Sequence, residues 1–103
     1  MTRLHTLGPV SAIPEGEGRT YDLGDRRVAV FRTRQGALFA TQAECPHRKG
    51  PLADGLVGHD AVVCPLHDWT FDLHSGAPRQ GECGVTVYPV RLASDGTLVL
   101  TVE

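Results

Sequence analysis

The sequence predicts an all-β domain made of short strands. Glycine and proline account for 12 and 7 of the 103 residues. Residues that interrupt helices so often nearly exclude long helices. No stretch of the chain has a convincing helical period of apolar residues. Short runs rich in valine and phenylalanine instead alternate with turn signals at close spacing, which is typical of a β-sandwich or small barrel. At this length we expect a single domain spanning residues 1–103.

The first half of the chain contains four predicted strands. Two weaker ones cover Leu4–Val10 and Arg19–Leu23. The next two, Arg27–Thr33 and Ala37–Thr41, are predicted to form a β-hairpin because Gln35-Gly36 lies between them as a turn signal. The second half contains further predicted strands, and the last two of these form a hairpin. They are Ala61–Val63, Trp69–Leu73, Val85–Leu92 and Thr97–Val102.

The segment from Ala43 to Gly58 differs from its surroundings. It has little apolar pattern and contains two prolines and three glycines. Long loops inside compact domains are uncommon and usually functional, so this segment is a candidate site.

Charge and hydropathy exclude several functions. The net charge of −2 and pI near 6.2 argue against a nucleic-acid binder, which usually has a basic excess. No apolar run approaches the ~20 residues needed to cross a bilayer, and we expect no membrane association. The first residues lack the apolar stretch of a secretory signal, and three cysteines are a poor basis for a disulfide framework. We therefore expect a cytoplasmic protein.

Two short motifs carry the chemistry. Cys45-Pro46-His47 and Cys64-Pro-Leu-His67, with sixteen residues between them, take up two of the three cysteines and two of the five histidines. Zinc binds such residues readily, but its familiar spacing places both cysteines in one motif and both histidines in the other. Here each motif supplies one of each. That alternation suits a two-iron cluster in which two thiolates bind one iron and two imidazoles bind the other.

Three other interpretations of the motifs remain open. The same four residues could bind a single zinc ion. Either motif alone could be a catalytic cysteine–histidine pair, although its duplication disfavours this. The residues could also be unrelated buried cysteines and surface histidines, although flanks rich in proline and glycine are poor core sequence.

The segments Cys45–Leu52 and Cys64–Asp72 resemble the Rieske ferredoxin-like family, and the likeness extends over about Val10–Val102. Within the family, three segments are similar to the small subunits of assimilatory NAD(P)H-dependent nitrite reductases: Val28–Arg32, Cys64–Trp69 and Val87–Leu92.

The resemblance implies a fold and a ligand set. The fold would consist of small antiparallel sheets with a cluster-binding subdomain of two loops, at about 43–58 and 64–76. One [2Fe–2S] cluster would be bound, with Cys45 and Cys64 on one iron and His47 and His67 on the other.

The resemblance also implies an electron carrier without substrate chemistry of its own. Its partner would be a large subunit carrying flavin and sirohaem that reduces nitrite to ammonium in nitrate assimilation. Two alternatives remain: a ferredoxin that serves the oxygenase and reductase of an aromatic-ring dioxygenase, and a small zinc-binding interaction module.

Residues near the ligands predict a low reduction potential within the family. Lys49 and its neighbours provide no extra cysteines for the disulfide of high-potential members. Trp69 and Phe71 stand where those members have hydroxyl donors, and Asp68 adds a negative charge that disfavours the extra electron. The third cysteine, Cys83, is expected to be a packing residue rather than a ligand.

Overall fold

The computed structural model describes residues 2–46, 50–66, 69–80 and 83–102. Within these ranges the chain forms eleven short strands, two single-turn 3₁₀ segments and no α-helix. The 3₁₀ segments are Val10–Ala12 and Leu52–Asp54. The strands are β1 (Arg3–Pro9), β2 (Glu17–Asp22), β3 (Arg27–Arg32), β4 (Leu38–Gln42), β5 (Leu56–Val57), β6 (Ala61–Val63), β7 (Thr70–Asp72), β8 (Pro78–Gln80), β9 (Val87–Tyr88), β10 (Val90–Leu92) and β11 (Thr97–Val102). The described residues include no helix that could span a membrane.

The strands form three antiparallel sheets in the described part of the chain. The first has the order β1-β11-β10, the second β2-β3-β4-β9 and the third β5-β6-β7-β8. Strand β11 shows why the first sheet forms: Leu98, Leu100 and Val102 are buried, and the residues between them are partly exposed. This period of two places one face of the strand against a core.

The second sheet lies between two hydrophobic cores. Val28 and Val30 of β3 pack with the leucines of β11. Ala29 and Phe31 belong to a second core, which also contains Cys45 and Cys64. Since successive side chains of a strand point to opposite faces, β3 is buried on both sides, and this explains its uninterrupted apolar run. Both cysteines therefore lie in the core that covers one face of β3.

The predicted hairpin is confirmed. Strands β3 and β4 pair in register from Val28 with Gln42 to Arg32 with Leu38. Gly36 lies in the turn with a φ of 89°, which is the left-handed region that glycine adopts without a steric penalty.

The prediction of one strand over Val85–Leu92 is wrong. Strand β9 pairs with β4 of the second sheet, whereas β10 pairs with β11 of the first. Pro89 separates them because it has no N–H to continue a ladder. Its carbonyl accepts a hydrogen bond from the N–H of Thr101 at 2.9 Å.

The described part of segment 43–58 contains regular structure. It contains the 3₁₀ segment Leu52–Asp54 and strand β5, which pairs with β6. Strand β8 was not predicted from the sequence either. Among the described residues of the two predicted loop regions, Leu56–Val57 and Thr70–Asp72 belong to the third sheet as β5 and β7.

Candidate metal centre

The two cysteines begin loops that close in the same way. The N–H of Cys45 donates to the carbonyl of Gly50 at 2.8 Å, and the N–H of Cys64 donates to the carbonyl of Trp69 at 2.7 Å. Both loops come shortly after a strand, β4 in the first case and β6 in the second. The duplication seen in the sequence motifs is therefore matched by the same closing backbone hydrogen bond, from each cysteine to the residue five positions later.

The two loops lie against each other. Gly50 is buried, and a Cβ atom at this position would lie 3.2 Å from Sγ of Cys64 and 3.1 Å from Cγ of Leu66. Both separations are tighter than ordinary side-chain contacts. A glycine here lets the first loop approach the thiol of the second.

The chemistry of the two thiols fits a soft metal centre. Cys45 and Cys64 are 1% and 0% exposed, and neither forms a disulfide with another described residue. The N–H of Leu66 donates to Sγ of Cys64 at 3.4 Å. A buried negative charge is costly without compensation, and thiolates are the ligands that iron–sulfur clusters use.

The predicted histidine ligands His47 and His67 lie outside the described residues, as do Lys49 and Asp68. Their roles stay predictions. Among the described neighbours, Pro46 and Pro65 are exposed, and Leu66 is 43% exposed. The described outer parts of both loops therefore face solvent, while the thiols face the core.

Trp69 and Phe71 follow the second cysteine motif and pack in the core that contains both cysteines. Phe71 is fully buried in the core that contains both cysteines, and the half-buried Trp69 packs against it. Their ring centroids are 6.4 Å apart with an interplanar angle of 55°. Both side chains shield the cysteine core from water, and neither carries a hydroxyl group.

We predict a reduction potential near the lower end of the Rieske range, which runs from about −150 to +300 mV. The physical reason is that the aromatic rings of Trp69 and Phe71 provide no hydroxyl donor to stabilise the added negative charge. A redox titration of the purified protein measures this directly. A midpoint well above zero would contradict the prediction.

An ionic network fixes the turn that follows β7, and sequence analysis missed it. Oδ1 of Asp72 accepts hydrogen bonds from the N–H groups of His74 and Ser75 at 2.8 and 3.0 Å. Nη2 of Arg79 donates to Oδ2 of Asp72 at 2.8 Å and lies 3.2 Å from Oδ1 of Asp60. The Arg79 hydrogen bond, followed by the backbone donor of Ser75, lowers the pKa of Asp72 from 3.8 to about 2. An aspartate three residues before Ser-Gly is a turn signal; its arginine partner has no local signal.

The substitution Asp72→Asn is expected to lower the melting temperature near neutral pH. The pKa of Asp72 is lower in the folded protein, so its stabilising effect is complete above the unfolded value and disappears as pH falls towards about 2. The difference between variant and wild type should therefore stay constant from about pH 5 to 8 and shrink below about pH 4. Melting curves across this range test it. A difference that grows on acidification would contradict the assignment.

The expectation that Cys83 packs in the interior is wrong. Its side chain is exposed, in a segment without a strand of its own. This exposure makes Cys83 a useful control for the two buried thiols.

Comparison with known proteins gives the class that this fold and centre define. The Rieske [2Fe-2S] domain family matches residues 3–91, and the chain belongs to this family. It holds a Rieske-type [2Fe–2S] cluster, and its chemistry is electron transfer. The two described cysteine loops each place a buried thiol in one core, and thiolates are among the ligands that such a cluster requires.

Individual relatives have two different roles. The chain is 35% identical over 100 residues to the anthranilate 1,2-dioxygenase ferredoxin subunit of Burkholderia cepacia, covering 95% of this chain and 91% of that protein. It is 33% identical over 89 residues to a nitrite reductase [NAD(P)H] of Emericella nidulans, covering 75% of this chain but only 8% of that protein. A solved structure described as an NADH-dependent nitrite reductase small subunit of Mycobacterium tuberculosis shares the fold. Its TM-score is 0.90 at 24% identity, over 100% of this chain and 97% of that one.

Proposed function

We propose that this chain is a one-electron carrier whose cluster is held by Cys45, His47, Cys64 and His67. The observation that carries this proposal is the pair of equivalent loops, each placing a buried thiol in the same core. The cluster supplies reversible one-electron transfer when bound. The chain's own residues do the rest: the core residues exclude water from the thiol side, and the exposed loop prolines leave the other side accessible to a partner.

The partner we propose first is the large, flavin- and sirohaem-carrying subunit of an NAD(P)H-dependent nitrite reductase, with this chain as its small subunit. The 33% identity to a nitrite reductase supports this assignment. Two of the segments that suggest this assignment from the sequence are Val28–Arg32 and Val87–Leu92. The first lies in strand β3, inside the second sheet. The second contains β9 and β10, which lie at the edges of two different sheets.

A second candidate is a ferredoxin that delivers electrons to the oxygenase of an aromatic-ring dioxygenase. A separate observation favours it, because the match to the Burkholderia ferredoxin subunit extends over nearly the whole of both chains. The two candidates use the same centre and differ only in the partner.

Affinity purification of the tagged holoprotein distinguishes the candidates. Cells are grown in parallel on nitrate as nitrogen source and on an aromatic carbon source, and co-purifying proteins are identified. For the first candidate we expect a flavin- and sirohaem-containing subunit from the nitrate-grown cells. Recovery of an oxygenase component instead, only from cells grown on the aromatic compound, would contradict it and support the ferredoxin role.

Metal analysis of the protein purified without oxygen tests the carrier proposal itself. We expect a coloured protein with iron and acid-labile sulfide in equal amounts, about two of each per chain. A colourless protein that contains zinc and no acid-labile sulfide would contradict the proposal and favour the zinc-binding module.

A further inference from the structure

Gln42 stands at the end of β4, three residues before Cys45, and both ends of its side-chain amide are engaged. Nε2 donates to the carbonyl oxygen of Glu44 at 2.7 Å. Oε1 accepts a hydrogen bond from the N–H of Thr86 at 2.9 Å. The Gln42 side chain thereby joins Glu44 to Thr86, which lies 42 residues further along the chain.

The first contact acts on the peptide bond that leads into Cys45. The carbonyl oxygen of this peptide belongs to Glu44 and receives the Gln42 amide, while its N–H belongs to Cys45 and donates to the carbonyl of Gly50. A planar peptide held at both its oxygen and its nitrogen has little freedom to rotate. The direction in which the Cys45 side chain leaves the backbone is therefore set in part by Gln42.

The second contact, with Thr86, connects this peptide to the segment at 85–86. Besides the side-chain contact, the N–H of Gln42 donates to the carbonyl of Thr86 at 2.9 Å. The neighbouring Val85 is buried in the same core as both cysteines. Its N–H donates to the carbonyl of Gly76 at 2.8 Å, in the turn that follows β7.

We infer that Gln42 is a positioning residue for the cluster: its amide orients the Cys45 thiol and aligns the first cysteine loop with the segment at 85–86. This inference rests on the proposed role of Cys45 as a ligand. Gln42 itself does not bind the metal. Its contribution comes from donating to one backbone group and accepting from another, which glutamine can do simultaneously and glutamate or methionine cannot.

Two substitutions separate the two contacts. Gln42→Glu retains an acceptor for the N–H of Thr86 but loses the donor to Glu44, whereas Gln42→Met preserves approximate size and removes both. For each holoprotein we would measure the rate of iron loss to a chelator, the visible circular dichroism of the cluster and the melting temperature. Gln35→Met, at an exposed turn position, is the matched control.

We expect Gln42→Glu to lose iron about tenfold faster than wild type, the effect of one hydrogen bond of ordinary strength. Gln42→Met, which lacks both hydrogen bonds, should lose iron at least as fast. Both should also show altered cluster dichroism, and Gln35→Met should match wild type. If Gln42→Glu retains wild-type iron loss and dichroism, the contact to Glu44 is unimportant and the inference is overturned. It is also overturned if both variants change only the melting temperature, which would indicate a purely structural residue.

The ligand assignment is tested separately. Metal content of wild type and of Cys45→Ser reports on the proposed function and does not depend on Gln42. Wild-type behaviour of the Gln42 variants alongside cluster loss in Cys45→Ser would overturn this inference alone. Retention of the cluster in Cys45→Ser would instead overturn the proposed ligand set.

Discussion

Replacing Cys45 or Cys64 by serine is expected to abolish cluster binding and leave a colourless protein with almost no iron or acid-labile sulfide. Both thiols are buried in one core, on loops that contact each other. A serine hydroxyl is not ionised near neutral pH and is a harder ligand than the soft thiolate that iron–sulfur clusters require. Iron, sulfide and the visible spectrum of each purified variant measure the outcome.

Cys83→Ser is the matched control for these two substitutions. The same change of sulfur to oxygen is made at an exposed position, and we expect full retention of iron and sulfide. Loss of the cluster in this variant, with its retention in Cys45→Ser, would show that the ligand set is different from the one proposed.

The substitution Gly76→Ala is expected to cause the largest loss of stability among the glycine variants. Gly76 is buried and has a φ of 78°, a conformation that costs an L-residue roughly 1–2 kcal/mol. A Cβ atom here would also lie 2.0 Å from the carbonyl oxygen of Val85. Backbone must move to relieve this overlap, which would break the hydrogen bond between Val85 and Gly76. Unfolding of the holoprotein, with iron content as a second readout, measures the effect.

Gly36→Ala separates the two causes. Gly36 has a similar φ of 89°, but nothing lies within 4 Å of its hypothetical Cβ. The control should therefore lose only the conformational contribution, roughly 1–2 kcal/mol, while Gly76→Ala loses clearly more and also loses iron. Equal destabilisation of the two variants would show that the contact between Gly76 and Val85 is not important for the fold.

Features with a local signal could be predicted from the sequence. The hairpin of β3 and β4 could be predicted because the apolar runs Val28–Phe31 and Ala37–Ala40 flank the turn signal Gln35-Gly36. The paired motifs predicted the cluster because each motif supplies one cysteine and one histidine. This alternation suits a two-iron cluster with thiolates on one iron and imidazoles on the other. The family match confirms the class of centre. That both cysteines lie in one core is a finding of the structure that the sequence did not predict.

Features that depend on distant parts of the chain could not be predicted. Pro89 lies inside the predicted strand Val85–Leu92. In the structure β9 pairs with β4 and β10 pairs with β11, so the predicted strand is divided between two sheets. The contacts of Gln42 with Thr86 and of Arg79 with Asp60 join residues far apart in sequence. Sequence periodicity reports which face of a strand is buried, but not which element covers it.

Mixed ligation by two cysteines and two histidines is the central claim, and one spectroscopic measurement tests it directly. The protein is produced with ¹⁵N-labelled histidine, reduced, and studied by pulsed electron paramagnetic resonance. We predict magnetic coupling of the unpaired electron to nitrogens of two histidines, with one coupling removed in any reduced cluster retained by His47→Cys or His67→Cys. A reduced cluster in the wild-type protein without coupling to histidine nitrogen would contradict the account.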